Sequence, residues 1–206
     1  MQLAHRRTTR PFRGSARDRS RGAVLVEAAF VTPLFLMLVL GIMEVGLAMN
    51  DDLALAHSVR AGSRVASASG NDVYADYGII QGIRRESSAL PLSSIKRIVV
   101  YRADKYGEAP STSCQNGTES ASVTAGSKPC NVYYPTDFDK VKSRWGCKPA
   151  EGLELWCPTA RKVSSTGTGA EYIGVWIKIE HAWVTRMFGE VITLTDESVI
   201  RLEPRA

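Results

Sequence analysis

The sequence has few of the residues that enzyme sites commonly use. Its 206 residues contain three histidines and four cysteines, and it has neither a G-x-S-x-G nor an H-E-x-x-H motif. His181 lies in a predicted strand, where a half-exposed structural residue is expected rather than a general base. No C-x-x-C spacing occurs, and the histidines show no ligand spacing to the cysteines, which argues against zinc. The sequence therefore predicts no enzyme, no catalytic residue, no metal and no cofactor.

The sequence also lacks a basic surface beyond its first residues. Residues 1–22 hold seven arginines against Asp18, a balance of +6, which leaves 19 Lys and Arg against 20 Asp and Glu in residues 23–206. Phosphate binding would need clustered cations with interleaved aromatics, and no stretch after Gly22 supplies them. We expect no nucleic-acid partner.

One long apolar run follows the basic leader. Ala28–Met43 contains no charge, and the run extends from Ala23 to Met49 if Glu27 and Glu44 are passed over. Helical residues over that length span about 40 Å, enough to cross a bilayer core of about 30 Å. The arginines should hold the N-terminus in the cytoplasm. This predicts a single-pass cell-membrane protein with an extracytoplasmic C-terminal domain.

A removable secretory signal is the alternative interpretation of the same run. Ala54-Leu55-Ala56 resembles a signal cleavage site. The run is longer than a usual signal core, however, and Asp51 and Asp52 stand just before the cut. These features favour a retained anchor.

The start of the apolar run resembles the processing site of type IV prepilins. Gly22 is followed by Ala23-Val24-Leu25-Val26, then Glu27, then the long apolar helix. The resemblance implies that a prepilin peptidase cuts after Gly22 and makes Ala23 the new N-terminus. It also implies that Glu27 meets the terminal amine of a neighbouring subunit, which makes both charges tolerable in lipid. A carboxylate that simply reaches the membrane surface is the local alternative.

Further segments resemble the TadE-like family, minor pseudopilins of tight-adherence (Tad) pilus or secretion systems. VEAAFVTPLFLMLVLGIMEVG carries Pro33, Glu44 and Gly46, SVRAGSRVAS carries Arg60 and Arg64, and ITLTDESVIRLEP resembles the family's terminal strand pair. The resemblance implies a pilus-assembly role. The implied partners are the prepilin peptidase, other pilins or pseudopilins, inner-membrane platform proteins and the bilayer, with a possible place in the fibre.

Three residues are expected to matter for assembly: Glu27, Pro33 and Glu44. Pro33 frees the carbonyl of Ala29 and bends the helix, either as a harmless kink or for filament packing. Glu44 lies about 25 Å along the axis from Glu27, so we expect it to be solvated at the opposite interface.

The sequence predicts two helical segments after the membrane. The first helix should continue to residue 69 with a narrow face of Leu55, Val59, Gly62 and Ala66, while Arg60 and Arg64 are solvated or touch lipid headgroups. A second helix should be capped by Asp72, stopped by Pro91, and buried through Val73, Tyr77, Ile80 and Ile83.

Strands are predicted at residues 95–102, 172–184, 191–195 and 198–203, with a turn at Asp196-Glu197. In the longest strand, Ile173, Val175, Ile177 and Ile179 should be buried, whereas Gly174, Trp176, Lys178 and Glu180 should be solvated. The fold class is α+β and pilin-like, a long N-terminal helix against an antiparallel sheet. The predicted organisation is a leader at 1–22, the membrane helix with its extension at 23–69, and an α+β domain at 70–206.

A loop insertion at 104–170 carries all the cysteines. On the oxidising side of a membrane, disulfides are the natural interpretation, and sequence neighbours suggest pairing Cys114 with Cys130 and Cys147 with Cys157, although three connectivities are possible. A zinc site competes less well. The alternative function is a membrane-anchored binding or adhesion module that presents this loop, and an exported enzyme ranks third.

Overall fold

The computed structural model describes residues 16–119, 128–147, 154–164 and 169–203, with side chains from Gly22 onward. The chain divides into two compact units, Met1–Met43 and Glu44–Ala206. The first helix, α1, runs from Ala16 to Ser69 and contains Pro33. It is long and apolar enough over Gly22–Ser69 to cross a membrane. The predicted extension of the apolar helix to residue 69 is confirmed.

The outer part of α1 packs in the second unit through its predicted face. Leu55, Val59 and Ala66 are fully buried. Gly62 lies on the same face, where a Cβ would come within 2.8 Å of Ile83 Cγ1. The small residues therefore allow the second helix to approach α1 closely.

The second helix, α2, runs from Ala75 to Glu86 and buries Ile79, Ile80 and Ile83. Its N-cap is Tyr74, and Asp72 instead accepts the Tyr74 backbone N–H in a local turn, so the predicted cap is wrong. Val73 is exposed, contrary to prediction, because it precedes the helix. The helix ends before Pro91, where the Ser87 N–H bonds to the Ile83 carbonyl.

The sheet has four antiparallel strands in the order β2-β1-β3-β4. Their bounds are Ile95–Ala103 for β1, Cys130–Tyr133 for β2, Tyr172–Ala182 for β3 and Val191–Arg201 for β4. The turn predicted at Asp196-Glu197 is wrong, because these residues pair with Ile177 and Trp176 in one continuous strand. Strand β2, in the cysteine-bearing insertion, was not predicted.

The sheet buries residues on both faces. The predicted inner face of β3, from Ile173 to Ile179, is buried against the helices. On the other face Trp176 is only 4 % exposed and packs with Val99, Tyr101 and Val132. The prediction that Gly174 and Trp176 are solvated is therefore wrong, since part of the insertion, with Cys114 and Cys130, covers this face. The α+β class is confirmed.

Candidate functional site

The predicted processing site lies in a helical and exposed stretch of α1. Gly22 and Ala23 are both exposed. A Cβ built on Gly22 meets no atom within 4 Å, so folding of the described residues places no steric demand for glycine at this position. The side chain of Glu27 is exposed and has no ion-pair or hydrogen-bond partner in the part of the chain that the structure describes. Within the described residues, the fold therefore gives Gly22 no packing role and Glu27 no pairing role.

The uncharged stretch Ala28–Met43 presents apolar side chains on all sides. Large hydrophobic residues remain exposed along its whole length, from Phe30 to Met43. A helix that is apolar all round requires a non-aqueous environment, either lipid or neighbouring helices. Pro33 lies in the middle of this stretch, and its role in packing stays a prediction.

Glu44, the first residue of the second unit, is fully buried. Its carboxylate accepts the backbone N–H groups of Val184, at 3.0 Å from Oε2, and of Thr185, at Oε1. The expectation that Glu44 is solvated is therefore wrong. The two donors belong to the connection between β3 and β4, which sequence reasoning did not place near α1.

Asp51 makes a second polar contact between α1 and the sheet. Its Oδ2 lies 2.7 Å from Nδ1 of His181 in β3. His181 is 6 % exposed, so the prediction of a half-exposed residue is wrong. Its Nε2 is buried without a hydrogen-bond partner among the described residues, so no nucleophile is linked to it. The pair fixes the orientation of the imidazole and joins helix to strand.

The cysteine-bearing insertion is held by two disulfides. Cys114 pairs with Cys130, and Cys147 pairs with Cys157, as predicted. The first joins a short helix, α3 (Thr112–Gln115), to β2, and the second closes a ten-residue separation. A loop of this size contributes about 3 kcal/mol when it is cross-linked. The prediction of a loop insertion is only partly right, because the insertion also supplies β2 and buried Tyr133, Phe138 and Trp145.

A buried charged cluster fastens the second disulfide loop to α2. Asp76 of α2 accepts hydrogen bonds from Tyr133 Oη at 2.7 Å and Asn131 Nδ2 at 2.8 Å. Its other oxygen lies 2.6 Å from Nη2 of Arg161, and both side chains are fully buried. The guanidinium also lies over the Trp156 ring, 4.4 Å from its centroid. This arrangement compensates two charges that would each be expensive to bury alone.

Glu154 adds a second acid to this charged cluster. Its Oε1 accepts the Gly146 N–H at 3.3 Å, whereas its Oε2 is buried with no partner in the described ranges. Burial, and after it the negative charge of Asp76, raises the pKa of Glu154 to about 7. The Gly146 N–H and Arg161 oppose this shift without cancelling it. Glu154 therefore changes its charge near neutral pH.

Sequence reasoning missed the cluster because its members come from separate segments. Asp76, Asn131, Glu154 and Arg161 share no motif or periodicity. In the described ranges, no group of three or more His, Cys, Asp and Glu residues could hold a metal ion. The predictions that the protein has no metal, cofactor or catalytic residue stay predictions.

The N-terminal part of the chain matches a known family. Residues 22–64 match the family model described as TadE-like protein, which confirms the resemblance predicted from this segment. The match begins at the predicted processing glycine and includes Glu27, Pro33 and Glu44. It spans 43 of the 206 residues and does not reach the closing segment at 192–204, whose likeness to the family stays a prediction. No curated protein and no solved structure matches the chain.

Proposed function

We propose that the chain is a minor pseudopilin of a Tad-type pilus or secretion system, anchored by α1 and cut after Gly22 by a prepilin peptidase. The TadE-like segment and the apolar helix fit a protein associated with a Tad pilus. The observation that carries the finer proposal is that the match begins at Gly22, where an exposed helical stretch leaves glycine without any packing role. A protease pocket that admits no side chain supplies the missing reason.

In this proposal Glu27 pairs with a positive group from outside the described fold. The residue lies next to the uncharged stretch of α1 and has no partner among the described residues. An unpaired carboxylate in lipid is costly, and a positive group brought to it offsets much of that cost. Cleavage after Gly22 would create such a group at Ala23, and in an assembly the amine of one subunit would meet Glu27 of the next. Processing thus prepares assembly.

The experiment that tests processing compares two glycines of α1. Neither Gly22 nor Gly46 has an atom within 4 Å of an added Cβ, so neither position is closely packed and we expect each to accept leucine. We expect the wild type and Gly46→Leu to yield a membrane protein that begins at Ala23 on N-terminal sequencing, while Gly22→Leu accumulates at full length. Normal shortening of Gly22→Leu contradicts the proposal. A wild-type protein that keeps Met1 would favour the anchored binding module, and one that begins at His57 would favour secretion.

The role of Glu27 is tested separately, in Glu27→Gln, which removes the charge and keeps the shape of the side chain. We expect this variant to be cut after Gly22 but to fail to support pilus assembly. Asp52→Asn is the matched control, because Asp52 is an exposed carboxylate on the same helix. Ordinary assembly by Glu27→Gln would rule out the charge pair while leaving the processing step untouched.

A further inference from the structure

The connection between β3 and β4 presents a cluster of exposed apolar residues. We call Trp183–Ile192 the hairpin tip. Five of its large side chains are exposed: Val184, Met187, Phe188, Val191 and Ile192. Trp183 lies against the cluster, with its ring centroid 5.3 Å from that of Phe188. So many neighbouring apolar side chains on a water-facing turn indicate a surface that binds something.

The hairpin tip has a defined conformation. The Trp183 N–H bonds to the Glu190 carbonyl at 3.1 Å, and the Gly189 N–H bonds to the Arg186 carbonyl at 3.3 Å. Gly189 has a φ of 109°, which glycine adopts without strain. Glu44 holds the opposite side of the turn through the Val184 and Thr185 N–H groups. The exposed apolar side chains therefore lie on a turn whose backbone is held by hydrogen bonds.

The position of Glu44 in the sequence decides what the hairpin tip faces. Glu44 follows directly after the sixteen uncharged residues Ala28–Met43. If α1 crosses the bilayer, as the proposed function requires, Glu44 stands at the outer boundary of the hydrocarbon. Two consecutive backbone amides bonded to its carboxylate must lie at the same depth. The apolar side chains next to those amides then meet lipid.

We propose that the hairpin tip inserts into the outer interface of the bilayer that α1 spans, as a second membrane contact of the folded domain. Trp183 belongs to the residue types that favour the headgroup level, Phe188 is apolar enough to insert beside it, and Arg186 has a side chain long enough to reach the phosphates. Burial of Glu44 by two N–H donors removes the cost of a bare carboxylate at this depth. The domain is then fixed to the membrane at two points rather than hanging from one helix.

Trp183 provides a built-in reporter of this contact. The chain has four tryptophans, and Trp145, Trp156 and Trp176 are at most 4 % exposed within the domain. The full chain is reconstituted in phosphatidylcholine vesicles with and without lipids brominated near the headgroup end of the acyl chain. We expect brominated lipid to quench the emission of the wild type. The emission lost to brominated lipid should be at least about threefold smaller in Trp183→Phe, because Trp183 is the tryptophan that the proposal places within reach of the lipid. Trp176→Phe, the matched control, should leave the quenched intensity unchanged.

Flotation of the same vesicles separates failure of the hairpin proposal from failure of the anchor. A chain that does not float with the vesicles overturns both. A chain that floats, but shows equal quenching by brominated lipid in the wild type and Trp183→Phe, overturns the hairpin proposal alone. Lipid quenching that disappears as the protein density in the vesicle rises would assign the hairpin tip to a second copy of the chain and would also overturn the proposal. Quenching by brominated lipid at every density supports it.

Discussion

Replacing Glu154 by glutamine should make the folded domain more stable at neutral and alkaline pH. Glutamine keeps the carbonyl that accepts the Gly146 N–H and removes an acid whose second oxygen is buried without a described partner. The negative charge of Glu154 is unfavourable because Asp76 already occupies the same buried cluster with Arg161 as the only cation described there. The substitution thus removes the repulsion between two buried carboxylates and changes the shape of the side chain little.

The size of this effect follows from the pKa of Glu154. In the folded chain it is raised to about 7, from an ordinary value of 4.5. Below pH 4.5 the group is protonated in both states and has no effect. As the pH rises from 4.5 to about 7, the unfolded chain releases a proton that the folded chain keeps, and the free energy of unfolding falls by about 3 kcal/mol in total. About one pH unit above the pKa of the folded state, near pH 8, the loss becomes constant.

The measurement is urea unfolding of the full chain in mild detergent, with disulfides intact, followed by near-ultraviolet circular dichroism between pH 4 and pH 8. Wild type and Glu154→Gln should have equal free energies of unfolding near pH 4, and that of the variant should be about 3 kcal/mol higher at pH 8. If the free energy of unfolding of the two proteins changed with pH in parallel, the raised pKa of Glu154 would be refuted. A variant that is less stable at every pH would show instead that Glu154 forms a favourable contact with Arg161.

Three further substitutions test other parts of the domain. Glu108→Gln should show the opposite pH dependence, because the hydrogen bond with Lys128 lowers the pKa of Glu108. The variant should be less stable than wild type at pH 7. Urea unfolding should show this difference in stability vanishing as the pH falls through the lowered pKa. Arg161→Met leaves a buried carboxylate unpaired and should cost about 3–5 kcal/mol in the same assay, and unchanged stability would contradict an essential ion pair. Gly174→Ala should destabilise the domain by about 1–3 kcal/mol and lower its melting temperature, since the new Cβ would overlap the Tyr101 ring in a packed core; an unchanged melting temperature would show that the ring moves aside freely.

The sequence predicts those elements whose residues obey a local rule. The continuation of α1 to Ser69 follows from its helical pattern, and its face at Leu55, Val59 and Ala66 is buried as the 3.6-residue period requires. The inward side chains of β3 follow from a two-residue alternation. The disulfide pairs are those closest in sequence. In each case the information lies within a few dozen residues.

The failures concern contacts between distant segments. Strand β2 is four residues long and lies among turn-forming residues, so it has too few positions to show an alternation. The alternation along β3 predicts that Trp176 is solvated, because no neighbouring residue in the sequence indicates that the insertion covers the second face of the sheet. The β4 prediction failed for a different reason, because Asp196 and Glu197 suggest a turn by composition while eleven consecutive pairings with β3 override that preference.

One missed feature of the candidate site did have a signal in the sequence. The buried face of α1 through Leu55, Gly62 and Ala66 continues toward the membrane at the same helical spacing, and its next members are Asp51 and Glu44, seven residues apart. A carboxylate on a buried helical face must find donors, because the alternative is an uncompensated charge. Asp51 finds them at His181, and Glu44 finds them in the hairpin tip.

Extension of that face by about three turns, from Leu55 to Glu44, therefore predicts that polar groups from elsewhere in the domain dock beside the end of the apolar run. The two acids fix the end of β3 to α1 at points about 10 Å apart along the helix axis. Since Glu44 directly follows the uncharged stretch, the same contact that satisfies its charge also sets the level of the hairpin tip. Loss of the carboxylate, in Glu44→Ala, should release the tip while the Asp51–His181 contact still holds the strand, so Trp183 should become less quenched by brominated lipid in a domain that remains folded. Undiminished quenching in this variant would mean that the tip keeps its depth through its own apolar side chains.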